Sequence, residues 1–284
     1  EIISAEPEMF RKQMAFVHKH FNVINFQQLH EMLEQHGKVL PNTLIITFDD
    51  GYSDNYNIML PILREFNLTA CIYVSTDYIN QKRVFWFDKV AYIVRKIEPQ
   101  TLSLNNGAFN LQISTDDREE ERKHLGRYLQ SVTDEKRLEI LQELYSIAQV
   151  ELKEEDQALV TPLNWDQIKQ LIEAGVEIGS HSKNHGFLDQ MSSKELEDQI
   201  ICSKETIEQK TGQKVFSFSY PNGNFDQRVV SLVEQNYRFA VSYKHAISKD
   251  ILNNQHLIPR VHVELDVDFS LFKANLLLPE LFLK

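Results

Sequence analysis

The sequence predicts an α/β protein built on a parallel sheet, with a mainly helical insertion. Two observations support this fold class. First, short β-favouring runs alternate with amphipathic helical patterns in the first and last thirds of the chain, which is typical of strands connected by crossover helices. Second, two of these runs end abruptly in residues able to bind a metal ion. Enzymes built on parallel sheets keep their catalytic groups at the carboxyl ends of the strands.

Apolar periodicity predicts each element in turn. Before the insertion, the pattern predicts helices at 7–20 and 26–33, a strand at Leu44–Phe48, a helix around 58–63 and a strand at Thr69–Val74. Between about Phe85 and Leu159, many charges and a helical period predict a mostly helical insertion that serves as a lid or flank. After it, we expect a helix from Trp165 to Gly175, a strand at Val176–Gly179, a helix at Ser193–Lys210, a strand at Val215–Ser219 and short elements at Val229–Gln235, Phe239–Tyr243 and His256–Val263.

The bulk composition is that of an ordinary soluble globular protein. The 284 residues are 42% hydrophobic and 25% charged, and this length suits one large α/β domain. We therefore expect a single barrel domain over residues 1–284, with its helical insertion at about 85–159. The net charge of −11 argues against nucleic acid or an anionic membrane as partner, because both select basic surfaces. The oligomeric state stays open.

Neither a membrane anchor nor a disulfide framework is indicated. No apolar stretch reaches the length of a membrane span, and Cys71 and Cys202 lie far apart with no paired-cysteine zinc signature. No signal peptide is visible, although the chain opens at Glu1 rather than at a methionine. These observations slightly favour the cytoplasm and leave the periplasm and the cell surface open.

Asp49 and Asp50 end the predicted strand Leu44–Phe48 and are followed by a glycine. Side chains alternate in direction along a strand, so two neighbouring carboxylates do not point the same way. One of them can bind a metal ion while the other stays available as a base. The alternative is that the acidic pair caps the next helix, because carboxylates favour the amino end of a helix.

His181 and His185 form the second cluster, in the run His-Ser-Lys-Asn-His. On a turn of helix, positions i and i+4 share a face, so both imidazoles can reach one ion; the alternative is a pair of unrelated surface histidines. His181 follows a predicted strand as Asp50 does, and we expect both strand ends to meet at one edge of a parallel barrel. Two histidines and one carboxylate leave an open position on a divalent metal, the usual layout of a hydrolytic site. Asp49 is then placed as general base for the bound water.

The segment Tyr220-Pro221-Asn222-Gly223 closes another predicted strand. Proline and Asn-Gly favour turns, so a simple turn is one interpretation. The other is a groove wall that binds substrate, in which the tyrosine ring stacks on a sugar and backbone amides near the proline donate to an oxyanion.

Arg260 and His262 lie two residues apart in an apolar run, so in a strand they point the same way. If that face looks into the barrel, His262 can protonate a leaving group, since its pKa suits this task near neutral pH. The alternative is that both side chains lie on an exposed strand face.

Together these motifs resemble those of the polysaccharide deacetylases of the NodB-homology type (carbohydrate esterase family 4). The run Thr47–Gly51 is similar to the first motif of that family, and the run His181–His185 to its second, in the same order and at a fitting separation. The resemblance covers roughly residues 25–80 and 160–265.

The resemblance implies a distorted (β/α) barrel with fewer strands than the usual eight. It implies that Asp49 is the catalytic base, that Asp50, His181 and His185 hold a divalent metal, and that the metal is zinc. The implied reaction is the removal of N-acetyl, or in some members O-acetyl, groups from a surface or cell-wall polysaccharide or its sugar precursor.

The chain departs from the family pattern at two motifs. In many members the third motif begins with an arginine that orients the base, whereas the matching stretch here, Phe218–Gly223, contains none. We expect Arg260 to supply that charge. The last motif of the family places a histidine, typically before an aspartate, and His262 is the nearest candidate although Val263 follows it.

Three functions are compatible with these motifs. The favoured hypothesis is a zinc-dependent deacetylase with a carbohydrate substrate. The alternatives are a catalytically silent glycan-binding barrel and a metal hydrolase of the same fold that acts on a small non-sugar amide. The pair Asp49 and Asp50 argues against the silent barrel, because a binding module needs no available base beside a metal ligand.

Overall fold

A computed structural model of the chain describes residues 6–80, 84–150, 160–248, 250–263 and 267–277. They fall into two compact units. We call Glu1–Lys82 together with Pro162–Lys284 the barrel unit, and Arg83–Thr161 the inserted unit. In the described parts of the chain, no helix combines the length and the apolar character needed to cross a membrane.

Ten strands are described. In chain order they are β1 (Asn22–Val23), β2 (Thr43–Leu44), β3 (Thr47–Phe48), β4 (Cys71–Val74), β5 (Gln100–Leu104), β6 (Phe109–Ile113), β7 (Glu177–Ser180), β8 (Ser217–Ser219), β9 (Phe239–His245) and β10 (Ile258–Arg260). Six of them form one sheet in the order β10-β9-β8-β7-β4-β3, and every neighbouring pair in it is parallel. The predicted parallel α/β architecture is confirmed.

Helices connect these strands. In the barrel unit they are Pro7–His20, Phe26–His36, Leu60–Glu65, Trp165–Glu173, Ser193–Thr211, Gln227–Asn236 and Phe269–Leu277, with a π-helical turn at Asn55–Met59 and short 3-10 turns at Leu188–Gln190 and Pro221–Gly223. In the inserted unit they are Trp86–Lys96, Arg118–Gln130 and Asp134–Ala148. The two long crossovers between β7 and β9 therefore each carry one helix, which is the usual way to connect parallel strands.

The predicted strand Leu44–Phe48 is two short strands in the structure. Its first half, β2, pairs with β1, and its second half, β3, pairs with β4. The change of partner takes place at Ile46, whose carbonyl accepts a hydrogen bond from the backbone N–H of Cys71 at 2.9 Å. One apolar run thus leaves one sheet and enters another.

The main sheet is buried on both faces, as parallel sheets are. Along β4, Cys71 and Tyr73 pack with β9 and with the helix Phe26–His36 in one apolar cluster. Ile72 and Val74 point the other way, into the cluster formed with the outer helices. Because Glu177, the first residue of β7, accepts hydrogen bonds from the first backbone N–H groups of the helix Phe26–His36, that helix begins at the amino ends of the strands. The opposite edge, where the strands end, is left for the site.

The inserted unit has its own apolar core and a β-hairpin beside its helices. The strands β5 and β6 pair antiparallel, and Leu102, Leu104, Leu111 and other alternating side chains are buried under the helices. The turn between the strands, 105–107, has three consecutive residues with positive φ. Sequence periodicity predicted the helices of this unit but not the hairpin.

Candidate active site

Three strands of the main sheet end at one place and supply the polar residues of the site. Asp49 and Asp50 follow β3, His181 follows β7, and Ser219 is the last residue of β8. The carboxyl ends of parallel strands share one edge of a sheet, so residues distant in sequence meet there.

Asp50, His181 and His185 form a compact cluster of possible metal ligands, with ligand atoms all within 4.8 Å of one another. The Asp50 Oδ1 atom lies 3.6 Å from His181 Nε2 and 3.2 Å from His185 Nε2. Ligand atoms arranged tetrahedrally about 2 Å from a zinc ion are roughly 3.3 Å apart. Among the described residues, Asp50 Oδ1 is buried without a hydrogen-bond partner. The spacing and this buried carboxylate oxygen both fit a bound divalent cation.

The orientation of His181 is fixed from the other side of its ring. His181 is 2% exposed, and its Nδ1 lies 2.7 Å from the carbonyl oxygen of Ser219. A carbonyl can only accept, so Nδ1 carries the proton and Nε2 faces Asp50 with its lone pair available. This is how ligating histidines are usually oriented in proteins. Burial, despite the opposing effect of Asp49, lowers the pKa of His181 and so favours the neutral ring that a metal requires.

His181 and His185 are brought together by a loop and not by a turn of helix, which corrects the expected geometry. The residues between them have no helical structure. Ser182 and His185 both adopt positive φ, 63° and 56°, and the Ser182 hydroxyl accepts a hydrogen bond from the His185 backbone N–H at 3.1 Å. The tight turn still places the two rings 4.8 Å apart.

Asp49 forms a two-pronged ion pair with Arg260. The guanidinium Nη1 and Nη2 atoms each lie 2.8 Å from one carboxylate oxygen of Asp49. Asp50 has φ of 70°, and Gly51 of 71°, so the backbone turns sharply directly after Asp49 and separates the directions of the two carboxylates. The neighbouring acids thus face different partners, as expected, but the positive φ at Asp50 separates them and not the alternation of side chains along a strand.

Two hydroxyl groups complete the surroundings of Asp49. Arg260 donates to Thr47 Oγ1 at 3.3 Å and to Ser219 Oγ at 3.2 Å, and Ser219 Oγ donates to Asp49 at 3.3 Å. Burial raises the pKa of Asp49, but the charge and hydrogen bonds of Arg260 outweigh it, with help from the nearby histidines, and hold that pKa well below its usual range. Asp49 is therefore an ionised acceptor at neutral pH.

His262 lies beyond the end of β10, next to Tyr243 and His245. Its ring centroid is 4.3 Å from that of Tyr243, and its backbone N–H donates to His245 Nδ1 at 3.0 Å. Burial, with the charge of Arg260, lowers the pKa of His262, while Asp49 acts in the opposite direction. The lowered pKa favours the neutral ring.

Tyr220 does not offer its ring to a ligand, contrary to the expected stacking role. It is 2% exposed, its hydroxyl donates to the His256 carbonyl at 2.9 Å, and its ring packs against Phe225. Phe218 also packs against the ring from the same stretch of chain, whereas the hydrogen bond to His256 comes from a distant segment that the local pattern does not reveal. Pro221 is also buried, and Asn222 and Gly223 are partly exposed.

Two serines in the site were not expected from the sequence. Ser219 contacts both halves of the site, with its carbonyl on His181 and its hydroxyl on Asp49 and Arg260. Ser75, which follows β4, donates to the His181 carbonyl at 2.9 Å. Serines are common at strand ends, so only their position beside the histidine and aspartate motifs would have identified them.

The comparisons with known proteins agree on one family. The family model described as polysaccharide deacetylase matches residues 36–240. The Bacillus subtilis protein YxkH is 20% identical over 268 residues, which are 93% of this chain and 67% of YxkH.

Solved structures share the fold over nearly the whole chain. The Streptococcus pyogenes deacetylase PplD, solved in complex with acetate, superposes with a TM-score of 0.64 at 14% identity, covering 97% of this chain and 89% of PplD. A de-N-acetylase from Aggregatibacter actinomycetemcomitans gives a TM-score of 0.57 at 17% identity, covering 95% of this chain and 87% of the other. The predicted distorted (β/α) barrel of the polysaccharide-deacetylase type is confirmed.

Proposed function

The chain belongs to the polysaccharide deacetylase family, and we propose that it is a metal-dependent hydrolase that removes N-acetyl groups from a carbohydrate. The observation that carries this proposal is the pairing of two carboxylates with different tasks. Asp50 faces His181 and His185, while Asp49 stands beside that cluster, held by Arg260. A site that only bound an ion would not need the second carboxylate.

We propose that Asp50, His181 and His185 hold the metal, with zinc as the expected ion. Two imidazoles and one carboxylate suit zinc and leave a coordination position open. When bound, such an ion acidifies a water molecule and polarises a carbonyl oxygen.

Asp49 is the proposed general base. Because Arg260 keeps Asp49 ionised and fixes both of its oxygens, it can accept a proton from the attacking water without first changing its orientation. Its lowered pKa makes it a weak base, so this role requires that a bound metal also acidify the water. Arg260 is the proposed positioning residue, and it takes the place of the arginine that the third family motif lacks here. Water adds to the acetamide carbon, the carbon–nitrogen bond breaks, and the products are acetate and the sugar amine.

His262 is the proposed donor of the proton that the leaving amine needs. Its place in the chain, two residues after the Arg260 that holds Asp49, supports this role. Its lowered pKa means that the unliganded protein holds the ring mostly neutral at pH 7, so the role requires substrate binding to raise that pKa. The backbone around Asn222 and Gly223 is the proposed wall of the substrate site.

The proposed substrate is a surface or cell-wall polysaccharide or its sugar precursor, with O-acetyl groups as a further possible target. Membership of a polysaccharide deacetylase family supports a carbohydrate. We also propose that the barrel unit is one domain and that residues of about 85–159 are its insertion, which shapes the choice of substrate.

Acetate release and metal content test this function together. Oligomers of N-acetylglucosamine are incubated with protein loaded with zinc, and acetate and bound metal are both measured. We expect release by the unmodified protein, loss of release with retained metal for Asp49→Asn, and loss of both for Asp50→Asn. Asp116→Asn, an exposed carboxylate of the inserted unit, is the control and retains both. Metal binding without release would favour the silent glycan-binding barrel, and release that persists in Asp49→Asn would exclude Asp49 as the base.

A further inference from the structure

The loop from His181 to His185 carries two of the three proposed metal ligands, and neighbouring elements hold its backbone from two sides. On one side lie residues 75–77, which follow β4. The Ser75 hydroxyl and the next two backbone N–H groups donate to three successive carbonyls of the loop, at 2.9, 3.3 and 2.8 Å. The chain after β4 thus holds the carbonyl side of the loop, mostly through its own backbone.

Gln199 holds the other side of the loop. It lies on the helix Ser193–Thr211 and is 5% exposed. Its Oε1 atom accepts hydrogen bonds from the backbone N–H groups of Lys183, at 3.2 Å, and of Asn184, at 3.0 Å. Of the two polar atoms of a glutamine amide, only the oxygen accepts, so these contacts also fix the orientation of the amide. One buried side chain therefore binds two successive N–H groups in the middle of the loop.

The backbone of this loop needs such support. Ser182 and His185 have φ of 63° and 56°, a region that residues other than glycine rarely adopt. Conformations of this kind persist where the surrounding structure holds them. Lys183 and Asn184 lie between these two positions, so their bonds to Gln199 restrain the stretch of backbone that decides where the His185 ring lies.

The charge contact next to Gln199 is a weaker restraint. Lys183 Nζ lies 2.8 Å from Asp198 Oδ2, but the two side chains are 26% and 50% exposed, and exposed ion pairs contribute little to stability. This pair also involves the side chain of Lys183 and not the backbone of the loop. We therefore expect the buried amide of Gln199, and not the charge of Asp198, to control the loop.

We propose that Gln199 is a positioning residue of the metal centre, whose side-chain oxygen fixes the loop so that His185 faces His181 and Asp50 before an ion binds. In the structure the two rings are 4.8 Å apart, and their Nε2 atoms lie 3.6 and 3.2 Å from Asp50 Oδ1. Groups that are held in place in advance lose less conformational freedom on binding. This inference rests on the proposed function, because it concerns the proposed metal ligands.

Zinc affinity measures this role directly. Gln199→Met keeps the length of the side chain but removes the acceptor. Removing a group that orients metal ligands weakens metal binding by about 10–100-fold, and we expect a loss in this range. Gln199→Glu keeps an acceptor oxygen at the same reach and should bind zinc within about threefold of the unmodified protein. If the glutamine only filled space, methionine would replace it equally well.

The affinity is measured on the whole protein by competition with a chromogenic zinc chelator. Urea unfolding of the metal-free protein and the visible spectrum of the Co²⁺-loaded protein, which reports the ligand geometry, are recorded on the same preparations. Gln13→Met is the matched control, because Gln13 is 2% exposed on the helix Pro7–His20 and the substitution is the same. Asp198→Asn is a second control. Amide hydrogen exchange at Lys183 and Asn184 in the unmodified, metal-free protein requires no substitution.

We expect Gln199→Met to weaken zinc binding and to alter the Co²⁺ spectrum, and Gln199→Glu to restore both. Gln13→Met should lower only the free energy of unfolding, and Asp198→Asn should leave zinc affinity within about twofold. The amides of Lys183 and Asn184 should exchange slowly even without metal, since both are bonded to Gln199.

Three results would overturn the positioning role of Gln199. They are unchanged zinc affinity in Gln199→Met, an equal loss of affinity in Gln13→Met, and fast exchange of both loop amides. If Gln199→Met does not fold, the amide exchange and Gln199→Glu decide, and weak zinc binding by Gln199→Glu would also overturn the role. Zinc binding that depends on Gln199 but without acetate release would support the role and contradict the proposed function, whereas an unmodified protein that binds no zinc would overturn both.

Discussion

Replacing Arg260 by methionine removes the group that holds Asp49 while keeping a long side chain of similar reach. In the structure the guanidinium makes two bonds of 2.8 Å to the carboxylate, together with bonds to Thr47 and Ser219. The side chains of Arg260 and Asp49 are 14% and 29% exposed. The pair is therefore neither fully buried nor fully exposed. Its contribution to the free energy of unfolding should lie between those of a buried and an exposed ion pair.

The expected cost in stability lies between two known limits. Removing one partner of a fully buried pair costs about 3–5 kcal/mol, and an exposed pair contributes less than about 1 kcal/mol. For the exposures found here we expect a loss of about 2 kcal/mol.

Turnover should also fall. A base that is no longer fixed at the attacking water costs roughly 100-fold in kcat, and KM should change little because Arg260 need not touch the substrate.

Steady-state kinetics of acetate release, metal analysis and denaturant unfolding test this prediction on the same preparations. Arg260→Lys keeps the positive charge but not the planar fork, so its turnover should lie between that of Arg260→Met and that of the unmodified protein. Arg228→Met is the matched control. Arg228 also pairs with an aspartate at 2.8 Å, but both side chains are well exposed, at 49% and 37%, and its loss should leave turnover unchanged.

Two results would contradict this role of Arg260. Unchanged kcat in Arg260→Met with normal metal content would show that Asp49 does not need its partner. A loss of bound metal in proportion to the loss of activity would show that Arg260 supports the ligand cluster and not the base.

Three further predictions concern residues around the site and the sheet. Ser219→Ala removes the hydroxyl that contacts Asp49 and Arg260 and should lower kcat about tenfold. Its zinc content should stay normal, because the Ser219 carbonyl and not the hydroxyl orients His181. Kinetics equal to those of the unmodified protein would contradict this prediction. Burial raises the pKa of the Glu177 carboxyl from 4.5 to about 7, so the folded state holds this proton more tightly than the unfolded state. Relative to Glu177→Gln, the unmodified protein should therefore lose up to about 3 kcal/mol between pH 4.5 and pH 8 in urea unfolding, and a difference independent of pH would refute the raised pKa. Gly179→Ala would place a Cβ 2.4 Å from the buried Tyr73 ring and should cost about 1–3 kcal/mol, measured by thermal unfolding; an unchanged Tm would contradict the tight packing of β4 on β7.

The positions of Asp49, Asp50, His181 and His185 could be inferred from the sequence because each pair directly follows an apolar run. Two strand ends in a parallel sheet meet at one edge, so sequence order and spacing were enough to expect that these groups lie close together. The loop geometry between the histidines could not be inferred. It depends on two residues with positive φ, Ser182 and His185, and the residue types alone do not show that both adopt this conformation.

The role expected of Tyr220 shows the limit of a local pattern. A tyrosine before Pro-Asn-Gly can be exposed or buried. In the structure the Tyr220 hydroxyl donates to the His256 carbonyl, a contact with a distant segment that the local pattern does not reveal. The exposed ring near that turn comes instead from Tyr243, on the neighbouring strand.

In the inserted unit, by contrast, the hairpin had a sequence signal. Leu102 and Leu104 alternate with polar residues before the Asn-Asn-Gly turn, which is a recognised hairpin pattern.

The partner of Asp49 is best understood from the sheet as a whole. Strands β3 and β10 stand at the two ends of the strand order, yet the Arg260 side chain of β10 reaches both Asp49 and Thr47 at the end of β3. The sheet must therefore curl until its first and last strands approach each other. The stretch Phe218–Gly223, which resembles the third motif of the family, contains no arginine. Ser219 ends β8 there, and its hydroxyl lies 3.2 Å from the Arg260 guanidinium that arrives from β10. In a curled sheet more than one strand can deliver a positive charge to the same carboxylate. A search for the motif alone would find no arginine, although the Arg260 guanidinium lies beside Asp49.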